Sequence, residues 1–189
     1  MEERLIDACI GGDRKAQKEL YENSFAVLMS ISLRYEKNRE DAAALVNQCF
    51  LKVLRSLAAF RDGGNITSYI PWIKKIMTNT IIDEYRKNKN KQLDPIENEN
   101  YLESLCQEDY NEIEAQIAQE ELLHMLEQLS ESQRQVFNLY AIDGYSHKEI
   151  SEMLNIGISN SKWHLSQARK KLQELLKGFL TDKMKHHVK

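Results

Sequence analysis

The sequence predicts an all-α chain of two small helical domains joined by an acidic linker, and three observations carry that prediction. Only 7 Gly and 2 Pro stand among 189 residues, too few for the frequent tight turns of a β architecture. Apolar residues recur three and four apart over long segments, the period of a helix buried along one face. Charge is segregated as well: residues 1–91 carry 16 Lys/Arg against 12 Asp/Glu, residues 92–133 carry 0 against 12, and residues 134–189 carry 10 against 5. The formal net charge of -3 thus averages local charges of +4, -12 and +5. Two mildly basic modules flank a strongly acidic connector, so the average hides two surfaces suited to a polyanion. With 42% hydrophobic and 29% charged residues, the composition is that of a soluble globular protein rather than a disordered or membrane chain.

The first domain, residues 1–91, reads as helices throughout. Asp13 is a candidate N-cap, and Ala16, Leu20, Phe25, Leu28, Ile31 and Tyr35 follow at roughly helical spacing, as two helices whose break carries no clear signal. After Glu40-Asp41 a second series, Leu45, Val46, Cys49, Phe50, Val53, Leu54 and Leu57, makes an amphipathic helix. Phe60 to Asn65, with its RDGGN run, reads as a loop. Thr67 or Ser68 then caps a long helix, because Pro71 is tolerated in a first turn and breaks an interior. That helix carries Trp72, Ile73, Ile76, Met77, Ile81 and Tyr85 and ends in the basic run RKNKNK, Arg86 to Lys91.

Residues 92–112 form the linker, weakly periodic and acidic, with Pro95 and several Asn. Its core of roughly 19 residues spans up to about 60 Å when extended. That exceeds one turn of duplex DNA, about 34 Å, so the two modules can occupy separate sites on one duplex. The second domain, residues 113–180, opens with Ile113, Ile117, Ala118, Leu122, Met125, Leu126 and Leu129 on one helical face. Ser130-Glu131-Ser132-Gln133 and Ser146-His147-Lys148-Glu149 are capping boxes, in which the Ser hydroxyl and the Gln or Glu side chain satisfy each other's orphan amides. The first opens a helix from Arg134 to Ile142 that stops at Gly144, and the second a short helix through Ile150 and Leu154. A turn at Asn155, Ile156 and Gly157 leads to a final helix with Lys162, Trp163, Leu165, Ala168, Leu172 and Leu175, and residues 181–189 are a tail. Short helix, tight turn and longer basic helix are the order of a helix-turn-helix.

Several chemistries find no support in the residues. Cys9, Cys49 and Cys106 are odd in number and lack ligand spacing, so neither a disulfide framework nor a zinc site is expected, and a reducing cytoplasm fits. His186-His187 reads as a solvated chain end rather than a metal site. Gly11-Gly12 and Gly63-Gly64 lack the rest of a phosphate-cradling pattern, and no cofactor is implied. No apolar leader follows MEERLIDAC, and no uncharged apolar stretch approaches the roughly 18 to 20 residues of a membrane span. Asp83 and Glu84 point to different helix faces without a third carboxylate or His at useful spacing, which disfavours a nuclease.

Two surfaces remain. On the last helix, Lys162, Trp163, Ser166 and Gln167 lie opposite Leu165, Ala168 and Leu172, with Arg169, Lys170 and Lys171 as a basic end. This suits base edges in a major groove followed by phosphates, although a helical hairpin with a solvated basic face has the same pattern. On the long helix of the first domain, Trp72, Ile76, Asn79 and Asp83 share a stripe beside Lys75, Asn79 and Arg86. An aromatic ring stacks on any unpaired base and an amide reads an exposed edge, although these residues taken alone fit better with Trp72 capping the core and Asn79 facing water.

The motifs GDRKAQKELYENS, DAAALVNQCFLKVL and YIPWIKKIMTNTIIDEYRK resemble region 2 of bacterial RNA polymerase sigma factors, with its Trp, the Asn seven residues later and the following Asp and Arg. LSESQRQVFNLYAIDGYSHKEISEMLNI and LSQARKKLQELL resemble region 4, and a short acidic linker with no room for a region 3 domain points to the extracytoplasmic-function (ECF) group of the sigma-70 family. The resemblance implies a region 2 helical bundle, a region 4 helix-turn-helix, and no enzymatic activity. It implies core RNA polymerase as partner, through the β′ clamp helices and β flap, together with promoter DNA and an anti-sigma factor. The β′ surface maps to Asp41, Leu45, Val46, Gln48, Phe50 and Leu51, and capture of the melted -10 element to Phe60, Arg61, Trp72, Lys75, Asn79 and Arg86. Readout of the -35 element maps to Lys162, Trp163, His164, Ser166, Gln167 and Arg169. The linker would thread a path built for RNA. Ala44 and Gln48 stand where the family usually has acids, the loop after Phe60 is longer than usual, and Asn160, Ser161, Trp163 and His164 replace the expected Thr, Val, Ser and Arg. The alternative is a stand-alone helix-turn-helix regulator, which requires a sensing or receiver-type pattern in the first half.

Overall fold

The computed structural model describes residues 2–62, 69–89 and 119–186. Among them every regular element is helical. The first module contains α1 (Glu2–Ile10), α2 (Arg14–Tyr35), α3 (Arg39–Asp62) and α4 (Tyr69–Lys89), and the second contains α5 (Gln119–Glu127), α6 (Glu131–Phe137), α7 (His147–Leu154) and α8 (Ile158–His186). The Thr67 or Ser68 cap, the Gly63-Gly64 loop, the linker, Cys106 and the start of the second domain's first helix lie outside the described residues.

Local chemistry sets three of the eight described helix starts. The Asp13 carboxylate accepts from the amides of Lys15 at 2.7 Å and Ala16 at 3.2 Å, satisfying donors that the first turn of α2 leaves orphaned. Where two helices seemed to meet, α2 runs unbroken through Tyr35. Its core stripe, including Leu20, Leu28, Ile31 and Tyr35, is joined by the buried hydroxyls of Ser24 and Ser32. Ser24 donates to the Leu20 carbonyl at 2.6 Å and Ser32 to the Ala42 carbonyl at 3.0 Å, so neither hydroxyl is stranded in the core. Ser130 and Ser146 both form complete capping boxes with Gln133 and Glu149.

The first core joins Leu28, Tyr35, Val46, Cys49, Val53, Ile73 and Met77. By length and composition α3 is apolar enough to cross a membrane, with 24 residues and a mean hydropathy of 1.3 in its most apolar window. Its apolar stripe from Ala42 to Leu57 is instead the inner wall of this bundle. Burial pushes the Cys49 thiol up to about 12, which leaves it protonated and inert. Phe60, Arg61 and Asp62, expected to open a loop, belong instead to α3, which continues through Asp62. Arg61 Nε donates to Asp7 Oδ1 of α1 at 3.0 Å, and Phe60 packs against α4, so tertiary contacts hold the last turn.

The second module is a helix-turn-helix seated on α5 and α6. Residues Asn138–Ile142 continue α6 as a π-helical turn. The chain then reverses at Gly144, whose φ of 78° is open to glycine without steric cost. Asn155 ends α7 with φ 52° and ψ 53°, a left-handed conformation that Asn adopts more readily than other side-chain-bearing residues. Ser161, fully buried, lies 2.9 Å from His147 Nδ1, and the His147 ring stacks on Tyr140 at 4.5 Å. This clasp ties α7 to α8. Burial chiefly, with help from Lys162 and Arg169, holds His147 below its ordinary pKa of 6.5.

The two modules share a core. Ile82 and Tyr85, near the end of α4, are buried with Val136, Leu139, Ile150, Leu154 and Leu165 of the second module. The long helix therefore belongs to both.

Two outcomes are expected. Asn155→Ala should cost about 1 kcal/mol, because a Cβ-bearing residue without a local polar partner is strained there, whereas Asn155→Gly should be neutral or slightly stabilising. Urea unfolding of the full chain followed by helical circular dichroism checks both. His147 binds its proton less readily folded than unfolded, so stability is complete above about pH 6.5 and falls as pH drops below it. Melting curves from pH 7.5 to 5 should show this loss, and His147→Asn should flatten it.

Candidate nucleic-acid interface

The α4 surface is built around an aromatic cluster. The Trp72 ring stacks on Phe60 of α3 at 4.4 Å with 30° between planes, and Tyr69 tilts against Trp72 at 6.0 Å. Tyr69 is buried with its hydroxyl 2.9 Å from Ser24 Oγ, which anchors the cluster to α2. Trp72 is only half-buried. It lids the core and keeps an accessible edge, so the two readings of this residue are compatible.

One and two turns further along, Ile76 and the exposed Asn79 line a shallow groove of about 310 Å³ with Lys52, Arg55 and Ser56 of α3. Lys52 and Arg55 were not among the residues expected here. Their three-residue spacing on the α3 face opposite the core stripe was the available signal. Lys52 Nζ is 2.9 Å from Asp83 Oδ2, which pins one wall of the groove. Lys75 is exposed on the neighbouring stripe. Arg61 is committed to Asp7, and Arg86 Nη2 donates to the Glu152 carbonyl of α7 at 2.7 Å. The structure thus groups Phe60 with Trp72, sets Asn79 beyond them, and holds Arg61 and Arg86 on partners elsewhere. Asp83 and Glu84 go to different bases, Glu84 pairing with Lys87 at 3.2 Å.

The expected polymerase-facing set divides in two. Asp41 and Gln48 are exposed and Leu51 is 55% exposed, on one stripe of α3. Leu45, Val46 and Phe50, of the same expected set, are 4%, 0% and 7% exposed and belong to the core of the bundle. Phe50 meets the Tyr21 ring edge-on at 5.0 Å, and Leu45 and Val46 pack inside the bundle. An amphipathic helix cannot offer one side chain to the core and to a partner together. The exposed stripe borders a shallow depression of about 260 Å³ lined by Glu36, just past α2, by Asp41, Ala44, Leu45 and Gln48 of α3, and by Glu84 and Asn88 of α4, so Leu45 belongs to its wall and the acids Glu36 and Glu84 stand in the same depression as Ala44 and Gln48. Burial raises the Glu36 carboxyl, and Arg134 opposes that rise.

On α8, Leu165 and Ala168 face the core, whereas Lys162 and Ser166 are exposed. Trp163, His164, Gln167 and Arg169 are half-buried. Trp163 and His164 rings meet at 4.9 Å, and the Arg169 guanidinium lies 5.6 Å from the centre of the Tyr140 ring. Ser161, at a position of departure from the family pattern, points inward to His147 and not to a groove. Among the described residues no cluster of three or more His, Cys, Asp or Glu has the arrangement of a metal site.

Comparison with known proteins matches this division of the chain. The family description "Sigma-70 region 2" fits residues 20–91, and "Sigma-70, region 4" fits residues 119–172. RNA polymerase sigma factor SigZ of Bacillus subtilis is 32% identical over 134 residues, covering 71% of this chain and 72% of its own. The ECF RNA polymerase sigma-E factor of Escherichia coli K12 is 26% identical over 188 residues, covering 92% and 95%. The sigma factor RpoE from Bartonella quintana, solved with the anti-sigma factor NepR, aligns with a TM-score of 0.49 at 22% identity, over 85% of this chain and 96% of that one. With a helical bundle over the region 2 match and a helix-turn-helix over the region 4 match, this chain belongs to the sigma-70 family of RNA polymerase sigma factors, in its ECF group.

Proposed function

We propose that the named side chains divide the work of promoter-specific initiation as follows. The exposed stripe Asp41, Gln48 and Leu51 on α3 meets core RNA polymerase, with Leu45, Val46 and Phe50 holding that stripe in place from inside. Trp72, stacked on Phe60, and Asn79, above a groove with basic walls at Lys52 and Arg55, take unpaired bases of the -10 element. Lys75 and Arg86 supply charge to the same strand. Lys162 and Ser166 lead the contact of α8 with duplex -35 DNA, with Trp163, His164, Gln167 and Arg169 at its edges.

The observation that carries this reading is the half-exposed Trp72–Phe60 stack beside a polar groove. A residue serving only the core gains nothing from an accessible aromatic edge at the mouth of such a groove. The chain acts without catalytic chemistry of its own, in the cytoplasm, and an anti-sigma factor is its expected regulator. The modules carry only small net positive charge, so free binding to DNA is weak and polymerase supplies the remaining affinity.

The purified chain, added to sigma-free core polymerase with a promoter library, should give specific start sites; no polymerase binding and no starts would refute the reading. Trp72→Ala should slow promoter opening by roughly 10- to 100-fold, the equivalent of one lost base stack of about 1–3 kcal/mol. Asn79→Ala should act in the same direction. Permanganate footprinting of the melted region reads opening, and core affinity measured alongside should stay unchanged for both variants; an equal loss of core binding would count against base capture.

A further inference from the structure

One chain of side-chain contacts holds the recognition helix α8 at two places, and both adjoin residues of the proposed -35 contact. At the start of α8, Ser161 is fully buried with its hydroxyl 2.9 Å from His147 Nδ1 of α7. The His147 ring stacks on Tyr140 at 4.5 Å with 24° between planes. About two turns further along α8, the half-buried Arg169 guanidinium lies 5.6 Å from the centre of that same Tyr140 ring, within the range of a cation–π attraction. Ser161 directly precedes the exposed Lys162, and at 1.5 Å of rise per residue Arg169 stands about 12 Å beyond Ser161. Tyr140 itself projects from the π turn Asn138–Ile142, beside the fully buried Leu139.

An arginine at the edge of a recognition helix has many rotamers of similar energy, and ordering them on binding subtracts from affinity. A ring face against the guanidinium narrows that choice before DNA arrives. The imidazole supports this arrangement while it is uncharged, because a second cation on the Tyr140 ring would repel Arg169. Burial, with Lys162 and Arg169, holds His147 below its ordinary pKa, so the ring is neutral at about pH 7. At the other end of the contact the Ser161 hydroxyl needs a partner, since a buried polar group left unpaired would loosen the turn that carries Lys162.

We propose that Tyr140 and His147 are positioning residues for -35 recognition: Tyr140 orients Arg169 toward a phosphate, and His147, through Ser161, fixes the turn that carries Lys162. Neither ring touches DNA, and each acts through a residue of α8. Lys162 and Arg169 carry the same charge wherever they point, so what the two rings add is geometry. Phosphate contacts fix the register of a recognition helix on the duplex, and an arginine already oriented therefore also serves the base contacts of its neighbours. The proposal deepens the initiation reading above and rests on its assignment of α8 to duplex DNA.

A double-substitution cycle tests it, in the full chain assembled with core polymerase on a promoter selected from the library above, at a temperature where circular dichroism shows every variant folded. Tyr140→Leu and Arg169→Ala should each weaken promoter binding roughly two- to tenfold. Tyr140→Phe, which keeps the ring face, should bind like the unsubstituted chain. The double variant Y140L/R169A should bind no more weakly than R169A alone, because Tyr140 then has no guanidinium to orient. Losses that multiply in the double variant, or normal binding by Tyr140→Leu, would overturn the role of Tyr140. His147→Phe keeps a ring on Tyr140 but strands the Ser161 hydroxyl, so it should weaken binding, and H147F/S161V should recover most of that loss. A double variant as weak as His147→Phe overturns the route through Ser161. In the free full chain the heteronuclear NOE of the Arg169 Nε–Hε pair should fall in Tyr140→Leu and not in Tyr140→Phe; an unchanged value in Tyr140→Leu sinks the proposal. Failure of the unsubstituted chain to bind polymerase would strike the initiation reading instead, and this NOE would still decide whether Tyr140 orients Arg169.

Discussion

A single α4 helix serves two modules and an open groove with one circumference of 3.6 residues per turn, and the arrangement of both modules follows from how that circumference is divided. Ile73, Met77 and Ile81 form its first-module face, and Ile82 and Tyr85 turn its far end toward the second module. Trp72, Ile76 and Asn79 are left on a third face. Because both ends are clamped in apolar packing, the third face is held in place from both modules. The Trp72 ring is set by Phe60 of α3, Phe60 sits in a last turn tied through Arg61 to Asp7 of α1, and Tyr69 ties the start of α4 to Ser24 of α2. All four helices of the bundle thus contribute to the placement of one half-exposed indole.

The second module solves a similar problem by different means. Its recognition helix is long, but α6 and α7 beneath it are short and bury few residues each. Polar anchors make up the difference: two capping boxes, an Asn in the left-handed region, and the His147–Ser161 clasp that runs between the two helices of the helix-turn-helix. The replacement of an apolar residue by Ser161 is explained by this clasp. A buried hydroxyl is tolerated at that position because His147 satisfies it, and the imidazole is in turn packed on Tyr140.

Local features of the fold were legible in the sequence because their causes are local. Asp13, Ser130 and Ser146 cap helices through side chains two or three residues from their targets, and Pro71 marks a first turn by its own geometry. The apolar stripe of α8 was readable for the same reason, since period alone separates Leu165 and Ala168 from Lys162 and Ser166. Non-local features were not legible. The end of α3 depends on Asp7, 54 residues earlier in the chain, and the Arg34–Asp143 pair joins residues 109 apart. That Leu45, Val46 and Phe50 are buried was not legible from the resemblance, because a motif identifies a helix and not which of its stripes faces out. The alternation of Leu45 and Val46 with exposed Asp41, Gln48 and Leu51 separates the two only once the bundle is assembled.

The intermodule contact is mixed in character, with polar bonds set around a small apolar centre. A large apolar interface would resist opening and leave an aggregation-prone patch on each module afterwards. Here the shared apolar patch centres on Ile82 and Tyr85 from the first module, and the remaining bonds are charged or hydroxyl groups that water can satisfy when the modules part. A sheltered ion pair adds directionality more than net stability, because desolvation offsets much of its attraction. Such a contact selects one geometry of the two modules. Arg86 adds one more directed bond to this contact, its guanidinium donating to the Glu152 carbonyl at 2.7 Å.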